Sequence, residues 1–354
     1  MKRNSLSCMS HLTRLALLTT LMWLSACMGA SPRLASDCSA YPDVPWVALG
    51  EGLWVWPPDA PAEVSAENGG HVVTTSVLVS QGEAMLVDPG PSLLHGLRVR
   101  QSVECRLGAS VRWIVNTHAH SENVLANVAF ADLIESGSLQ IMATAPTRLG
   151  MERRCESCLA SLKRRVGEEG MAGTTIVLPT QTLHKGKVLQ VGAEGVLVAD
   201  VAAAHTEGDV VLWWERQRVA WVGGLVYERR TPELAQGQMV PWLQALDRIA
   251  ALKPDTVIGV SVESAPGKGG ALSTVTATRA YLLALYEQIW MAMDEGVQAN
   301  EAQQSLHLPQ YRSWVGYAER HGFNVLRAWR ELEPRWMDAP PDTGPPSPES
   351  LPVH

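Results

Sequence analysis

The sequence has little charge, little phenylalanine and no basic run. Charged residues make up 18% of the 354 positions, the formal net charge is −7, and two residues are phenylalanine. A nucleic-acid-binding surface needs clustered lysine and arginine. We therefore expect no nucleic acid as a partner. No internal repeat of useful length is present.

Long apolar runs are also scarce. Lys2 and Arg3 precede an apolar stretch, Leu15 to Leu24, that is too short to span a bilayer as a mature helix but suits a secretory signal. The stretch ends in the letters LSAC at Cys27, which resembles the cleavage box of bacterial lipoproteins, and Met28 rather than an acidic residue follows. We expect export, lipidation of Cys27 and anchoring at the periplasmic face of the outer membrane. A soluble periplasmic protein with a plain signal peptide is the alternative.

The cysteines are few, and their number bounds the disulfides. Of six cysteines, Cys8 leaves with the signal peptide and Cys27 is assigned to lipid. The four that remain are Cys38, Cys105, Cys155 and Cys158. An even number in an exported protein fits two disulfides, with three connectivities open. We expect Cys38–Cys105 and Cys155–Cys158. The second pair is a Cys-x-x-Cys that could instead be redox-active or bind metal, but no second such pair or nearby histidine completes a zinc site.

Two histidines follow a predicted strand at close spacing. The run Trp113 to Val115 is typical of a strand, and His118 and His120 come shortly after it. Side chains repeat with period two in extended backbone, so both imidazoles point the same way. Imidazoles on one side can share a metal ion, and zinc suits them. Two solvated histidines at an ordinary strand end are the alternative.

The order of further strands and polar residues strengthens the metal interpretation. An apolar run, Ala84 to Val87, ends at Asp88, and a later run, Val196 to Val201, leads to His205 and Asp209. This order resembles the metallo-β-lactamase superfamily over about residues 54–333. The resemblance implies an αββα sandwich of two mixed sheets, with helices on both outer faces and the metal at one edge. It also implies His118, His120 and His205 as metal ligands.

Three positions depart from the family pattern. The resemblance places further metal ligands where this chain has Asn123, Gly224 and Ser261. The three-histidine site is complete, whereas the second site has lost both histidines and its bridging carboxylate. We therefore expect one zinc ion per chain, since three imidazoles and an open position make a sound catalytic zinc site.

Three carboxylates near these histidines have candidate roles. Glu122 stands where the family has aspartate and is the candidate general base. Its alternative role is a solvated residue in the first turn of a predicted helix over 123–135. Asp88 and Asp209 are predicted to hold imidazoles in the ligating tautomer, and ordinary turn or cap chemistry is their alternative.

Further segments resemble one branch of the superfamily, the quinoprotein relay system zinc metallohydrolases. They are Leu225 to Leu234, Pro241 to Leu243, His321 to Val325 and the Cys155–Cys158 pair. The branch implies a link to a periplasmic dehydrogenase or cytochrome system. Two functions remain open: a mononuclear zinc hydrolase of esters, lactones, thioesters or amides, and a catalytically degenerate binding or accessory protein. Cleavage of β-lactams is a weaker option, because fold alone suggests it.

The domain organisation follows from these segments. We expect a signal peptide over 1–26, a tether over 27–47, a single domain over 48–337 and a disordered proline-rich tail over 338–354. Helices are predicted over 241–252, 272–295 and 311–333, and a loop over 262–270. Thirteen tryptophans are present, most of them expected in the core, with Trp54 or Trp56 as a candidate pocket residue.

Overall fold

A computed structural model describes residues 38–266, 270–340 and 344–351. The predicted signal peptide, Cys27 and the first part of the tether lie outside these residues. Within the described ranges, no helix combines the length and apolar character needed to cross a membrane.

Two β-sheets form the centre of the protein. The first has seven strands in sequence order: β1 (Val47–Gly50), β2 (Leu53–Trp56), β3 (Thr75–Ser80), β4 (Glu83–Val87), β5 (Ser110–Val115), β6 (Gln140–Ala143) and β7 (Gln181–Thr182). The second has six, in the order β13 (Val262–Ser264), β12 (Thr256–Gly259), β11 (Val219–Gly223), β10 (Asp209–Trp214), β9 (Glu194–Ala202) and β8 (Val188–Val191). Both sheets are mixed, because β4 to β7 pair in parallel, as do β11 and β12, while the other neighbours are antiparallel.

The inner faces of the two sheets enclose one apolar core. It joins residues of the first sheet, such as Met85 and Val115, to residues of the second, such as Val196, Leu212 and Trp221. Alternate residues of β9 are buried, as the two-residue period of a strand requires, whereas every residue of β10 is buried. This burial on both faces fits a central strand that helices cover from outside.

Helices cover both outer faces. They are α1 (Leu93–Cys105), α2 (Ser121–Val124), α3 (Ala131–Glu135), α4 (Ala145–Val166), α5 (Met239–Ala251), α6 (Ser273–Asp294), α7 (Ala299–Ser305) and α8 (Tyr317–Met337). Val99 and Val103 of α1 pack with Val77 and Leu86 of the first sheet. Residues of α5, α6 and α8 pack with Val211 and Ala220 of the second sheet, within the largest core cluster. The predicted αββα sandwich is confirmed.

Two local predictions need correction. The helix expected over 123–135 is broken, because residues Leu125–Phe130 form a 3-10 segment between α2 and α3. This segment packs closely against α1, where a Cβ on Gly96 would lie 2.6 Å from the Ala129 Cβ and 2.7 Å from the Ala126 carbonyl oxygen. The loop expected over 262–270 begins with β13, which pairs with β12 and extends the sheet by one edge strand.

Residues 344–351 belong to the segment that is predicted to be a disordered tail, and the structure places them against α5 and α6. Gln244 of α5 donates hydrogen bonds to the carbonyl oxygens of Pro348 (2.9 Å) and Leu351 (3.0 Å). The hydroxyl of Tyr286 donates to the carbonyl oxygen of Pro346 (2.8 Å), and Pro348 is buried. Proline loses little conformational freedom when it is ordered. These contacts involve a segment whose proline-rich composition predicts disorder, and the disordered tail stays a prediction.

Candidate metal centre

The three predicted ligands converge at one edge of the sandwich. Among the residues that the structure describes, His118, His120 and His205 form the one group of potential metal ligands, three or more in number, whose ligand atoms all lie within 4.8 Å of one another. His118 and His120 follow β5, and His205 lies between β9 and β10. The main chain ties the two loops together, since the Val210 N–H donates to the Thr117 carbonyl oxygen at 3.0 Å.

The free nitrogens of these imidazoles face one another. Nε2 of His205 lies 3.2 Å from Nδ1 of His120, and the three ring centroids are 4.6 to 5.1 Å apart. In a tetrahedral zinc site with bonds of about 2.0–2.1 Å, two nitrogens are about 3.3 Å apart. The arrangement of the three side chains therefore fits a zinc ion.

Hydrogen bonds on the far side of two rings select the nitrogen that faces the cleft. Nδ1 of His205 lies 3.1 Å from the Glu233 carbonyl oxygen. Because a carbonyl oxygen can only accept a hydrogen bond, Nδ1 carries the hydrogen, and Nε2 keeps the lone pair that can bind a metal. Nδ1 of His118 lies 2.9 Å from Oγ1 of Thr117, which itself donates to Asp88 at 2.6 Å. The Thr117 hydroxyl thus accepts a hydrogen bond from His118 and donates one to the Asp88 carboxylate. Burial lowers the pKa of His118 and His205 well below the ordinary value, which favours the neutral form that binds metal.

The two predicted supporting carboxylates have different positions. Asp88 acts on His118 through the Thr117 hydroxyl, and it also accepts from the Thr117 N–H (2.8 Å) and the Asn123 amide (3.0 Å). Burial raises its pKa to about 6. Asp209 was predicted to hold an imidazole, but it accepts from the backbone N–H groups of Ala204 (3.2 Å) and Thr206 (2.8 Å). It therefore fixes the loop around His205, because a sharp turn between β9 and β10 leaves these N–H groups without strand partners.

Glu122, the candidate base, lies beside the cluster. Its Oε1 is 4.0 Å from Nδ1 of His120, and its side chain is 17% exposed. Oε2 accepts from the Ser121 hydroxyl at 3.2 Å. Burial opposes ionisation of Glu122, but interactions with His120 and Arg230, together with hydrogen bonds from the backbone and Ser121, outweigh it and hold the pKa of this carboxyl below its ordinary value. Glu122 is therefore a carboxylate at neutral pH.

The three positions where the resemblance places further ligands have distinct surroundings. Asn123 is buried, and its Oδ1 has no hydrogen-bond partner. At Gly224, a Cβ would lie 2.3 Å from Cδ2 and 2.7 Å from Nε2 of His205, so the histidine ring fills the place of a side chain. Ser261 is half-buried between β12 and β13, where its carbonyl oxygen accepts from the Gly259 N–H at 2.9 Å.

The cysteines agree with the sequence prediction for one pair and differ for the other. A disulfide joins Cys38 to Cys105, with the Cα atoms 5.8 Å apart. Cys155 and Cys158 are free thiols within α4, so the second predicted disulfide is absent. Residues three apart in a helix have Cβ atoms about 5–6 Å apart, whereas a disulfide needs about 3.5–4.5 Å. Burial raises the pKa of Cys155 to about 12, which keeps this thiol protonated.

Sequence analysis missed several residues around the cluster. The Thr117 hydroxyl supports His118, and the Tyr227 hydroxyl lies 3.4 Å from Nε2 of His205. Burial raises the pKa of Tyr227, so its hydroxyl remains a donor. Arg230, which is 6% exposed, acts electrostatically on Glu122 and His205. Tyr227 and Arg230 lie in a loop after β11, and their place in the sequence carries no spacing signal that points to the histidines.

Known proteins resemble this chain in sequence and in structure. The sequence model of the metallo-beta-lactamase superfamily matches residues 68–261. The metallo-beta-lactamase FIM-1 from Pseudomonas aeruginosa, solved in a mono-zinc form, is similar in structure, with a TM-score of 0.51, 17% identity, and coverage of 69% of this chain and 96% of FIM-1. A metallo-beta-lactamase from Pontibacter korlensis gives a TM-score of 0.49 at 15% identity, over 67% of this chain and 98% of that protein. No curated protein matches the sequence significantly. The family match spans more than half of the chain, and the chain belongs to the metallo-beta-lactamase superfamily.

Proposed function

We propose that the protein is a hydrolase that holds one zinc ion on His118, His120 and His205 and cleaves an ester, lactone, thioester or amide. The observation that carries the proposal is the convergence of three imidazoles whose ligand atoms lie within 4.8 Å of one another. Because Glu233 and Thr117 engage the outer nitrogens of two rings, the inner nitrogens are free to bind metal. A zinc ion held there would supply Lewis acidity that lowers the pKa of a water molecule to about 7.

Glu122 is the residue that takes up a proton in this proposal. Its carboxylate lies 4.0 Å from Nδ1 of His120, a nitrogen that faces the cleft. The carboxylate is ionised at neutral pH, as a general base must be, and one oxygen is already oriented by the Ser121 hydroxyl. Glu122 is thus placed to accept a proton from a water molecule at the metal centre.

Tyr227 and Asn123 offer a donor and an acceptor in the same region. The Tyr227 hydroxyl lies 3.4 Å from Nε2 of His205, so it can donate to an oxygen that develops negative charge beside that histidine. The Oδ1 of Asn123 is a buried acceptor without a partner. Buried polar atoms are usually satisfied, so this oxygen is suited to a water molecule or a substrate N–H.

Three observations support one zinc ion rather than two. Asn123 offers a single amide oxygen in place of an imidazole, and Ser261 stands where the resemblance places another histidine. Gly224 has no side chain, and His205 occupies the volume that one would need. A bridging carboxylate at position 224 would require His205 to move.

Substitution of Glu122 tests the catalytic proposal. We expect Glu122→Gln to lower turnover of an ester and lactone panel by ~10²–10⁴-fold, since the change removes a base and preserves size. Zinc content should stay the same, because the three histidines remain. Glu207→Gln is a matched control, as Glu207 is exposed on the loop that carries His205 and pairs with Arg154 at 3.5 Å. Undiminished turnover in Glu122→Gln would refute the role of this carboxylate.

A second candidate function is a binding or accessory protein that has lost catalysis, serving a periplasmic quinoprotein dehydrogenase or cytochrome system. The missing side chain at Gly224 favours it, because supporting and ligating groups of a metal centre strongly affect activity. The two functions differ in one assay. A catalyst exceeds its own His118→Ala variant in turnover of some member of the panel, whereas an accessory protein does not.

We also propose that the chain is exported and attached to the outer membrane through lipid on Cys27. The LSAC motif supports this, and the Cys38–Cys105 disulfide is typical of an oxidising compartment. Cys27→Ser should release the protein from the membrane fraction in soluble form. Retention of that variant on the membrane would contradict the lipid anchor.

A further inference from the structure

A cavity separate from the histidine cluster opens on the outer side of the first sheet. It has a volume of about 450 Å³ and lies between the first turns of α1 and the segment that joins β2 to β3. Trp56, His71, His95 and Arg98 line it, and none of the three clustered histidines does. Its volume falls within the usual range of small-molecule sites, about 300–1,000 Å³. We call it the outer cavity.

Stacked rings form one wall of the outer cavity. Trp56 and His95 are parallel within 7°, with ring centroids 4.4 Å apart. His71 contacts both, at 4.4 Å from Trp56 and 4.9 Å from His95. Because His95 stacks on a face of Trp56 and the Arg98 guanidinium lies over a Trp56 ring, the wall presents aromatic ring edges to the cavity. Such edges carry partial positive charge and pack well against the face of another ring.

His95, a buried imidazole of this wall, has one ring nitrogen available to a ligand. His95 is 6% exposed, and its Nε2 lies 3.1 Å from Oγ1 of Thr75. Within the described part of the chain its Nδ1 makes no hydrogen bond. Burial lowers the pKa of His95 well below the ordinary value and that of His71 to about 4, so both rings are neutral at pH 7. An anion would select the tautomer in which Nδ1 of His95 carries the hydrogen and Nε2 accepts from Thr75.

Arg98 supplies the fixed positive charge of the cavity. Its guanidinium donates to the carbonyl oxygens of Pro42 (3.1 Å) and Asp43 (2.9 Å), and it lies 4.8 Å from the centre of a Trp56 ring. No carboxylate pairs with it among the described residues. Asp59 and Glu67 also line the cavity, but both are exposed to solvent, so their charges are screened more strongly.

We propose that the outer cavity binds a planar monocarboxylate, an aromatic acid whose ring packs against the edges of Trp56 and His71 and whose carboxylate contacts Arg98 and Nδ1 of His95. The ring edges of the wall select an aromatic body, because aromatic rings favour edge-to-face contacts. The single unpaired guanidinium selects one negative charge, and its planar fork matches a carboxylate. The site is independent of the proposed hydrolytic function, since it shares no residue with the metal centre.

Titration with 2-naphthoate tests this proposal. The full chain is first stripped of metal with a chelator, so that the carboxylate cannot bind zinc at the histidine cluster. Calorimetry or ligand-observed NMR should then detect one site. The neutral analogue 2-naphthalenemethanol should bind about 10-fold more weakly or worse, because it lacks a charge-assisted hydrogen bond.

Variants of two arginines on the same side of the molecule locate the site. Arg98→Gln should weaken 2-naphthoate about 10-fold or more, and Arg98→Lys should fall between it and the parent. Arg106→Gln is the matched control: Arg106 follows α1, pairs with the Asp43 carboxylate and does not line the cavity. Lack of 2-naphthoate binding up to about 10 mM would overturn the proposal. So would equal affinity in Arg98→Gln, or tighter binding of a naphthylmethyl trimethylammonium cation, which would assign the cavity to Asp59 and Glu67.

Discussion

Two groups of histidines lie in this molecule at similar ring separations, and they are suited to different ligands. His118 and His205 have ring centroids 5.1 Å apart in the metal cluster, and His71 and His95 are 4.9 Å apart in the outer cavity. The two groups differ in the hydrogen bonds that their ring nitrogens make. In the cluster, the hydrogen bonds to Thr117 and Glu233 lie on the outer side of the rings and leave the inner nitrogens free.

In the outer cavity, the nitrogens of His71 and His95 make a different set of hydrogen bonds. Nε2 of His71 lies 3.2 Å from the Trp56 carbonyl oxygen, and Nε2 of His95 lies 3.1 Å from Oγ1 of Thr75. With these hydrogen bonds made, Nδ1 of His95 remains available to a ligand, and within the described part of the chain no third side chain completes a set of metal ligands. Proximity of imidazoles is therefore insufficient for a metal site; the hydrogen bonds of the second nitrogen decide where the first one points.

Among the substitutions that test this comparison, the largest loss of zinc affinity is expected at Gly224. Gly224→Ala would place a Cβ 2.3 Å from Cδ2 of His205 and 3.0 Å from Nε2 of His118. Because that contact forces His205 away from the cluster, we expect zinc affinity to fall by about 100-fold or more, with about 1–3 kcal/mol lost in the free energy of unfolding. Competition with a chromogenic chelator measures the affinity.

Gly195→Ala is the control for this steric argument. A Cβ at position 195 in β9 would lie 3.3 Å from Cγ1 of Val188, a side chain that is exposed and can shift. Zinc affinity of Gly195→Ala should equal that of the parent. If Gly224→Ala also bound zinc as tightly as the parent, the packing of His205 against the backbone would not define the metal centre.

A smaller effect is expected from Thr117. Thr117→Val keeps the shape of the side chain but removes the hydroxyl that links His118 to Asp88. Loss of such a supporting hydrogen bond typically lowers metal affinity by ~10–100-fold. The matched change Thr75→Val removes the same kind of threonine–histidine contact in the outer cavity. It should leave zinc affinity unchanged, and equal losses in both variants would show a general effect on folding instead.

The sequence predicted the parts of this structure that depend on pattern. Strand patterns placed β5 and β9 correctly. The close spacing of His118 and His120 identified two members of the cluster, although both residues lie beyond the end of β5 and not in the strand itself. Asp209 was assigned the wrong partner, because a carboxylate near a histidine in sequence can hold either the ring or the main chain. Trp56, one of the two candidate pocket residues, does line the outer cavity. The other rings of its wall were not predicted, since they come from separate segments that only the folded chain brings together.

The residues that support the histidine cluster could not be predicted either, because their contacts depend on tertiary structure. Thr117 lies directly before His118, yet nothing in one sequence says whether its hydroxyl turns toward Asp88. Tyr227 approaches His205 only because the chain turns sharply after β11 at Gly223 and Gly224, where φ of Gly223 is +51°. Local pattern determines the strands, and tertiary packing determines which side chains meet at their ends.

The most direct test of the central claim is the zinc content of the purified chain, measured by elemental analysis after chelation, resupply of zinc and removal of unbound metal. We expect one zinc per chain in the parent, one in His95→Ala, and none retained in His205→Ala, because only the cluster of His118, His120 and His205 brings three ligand atoms together in the described structure. Two zinc ions per parent chain, none, or retention of zinc by His205→Ala would contradict a single three-histidine metal centre.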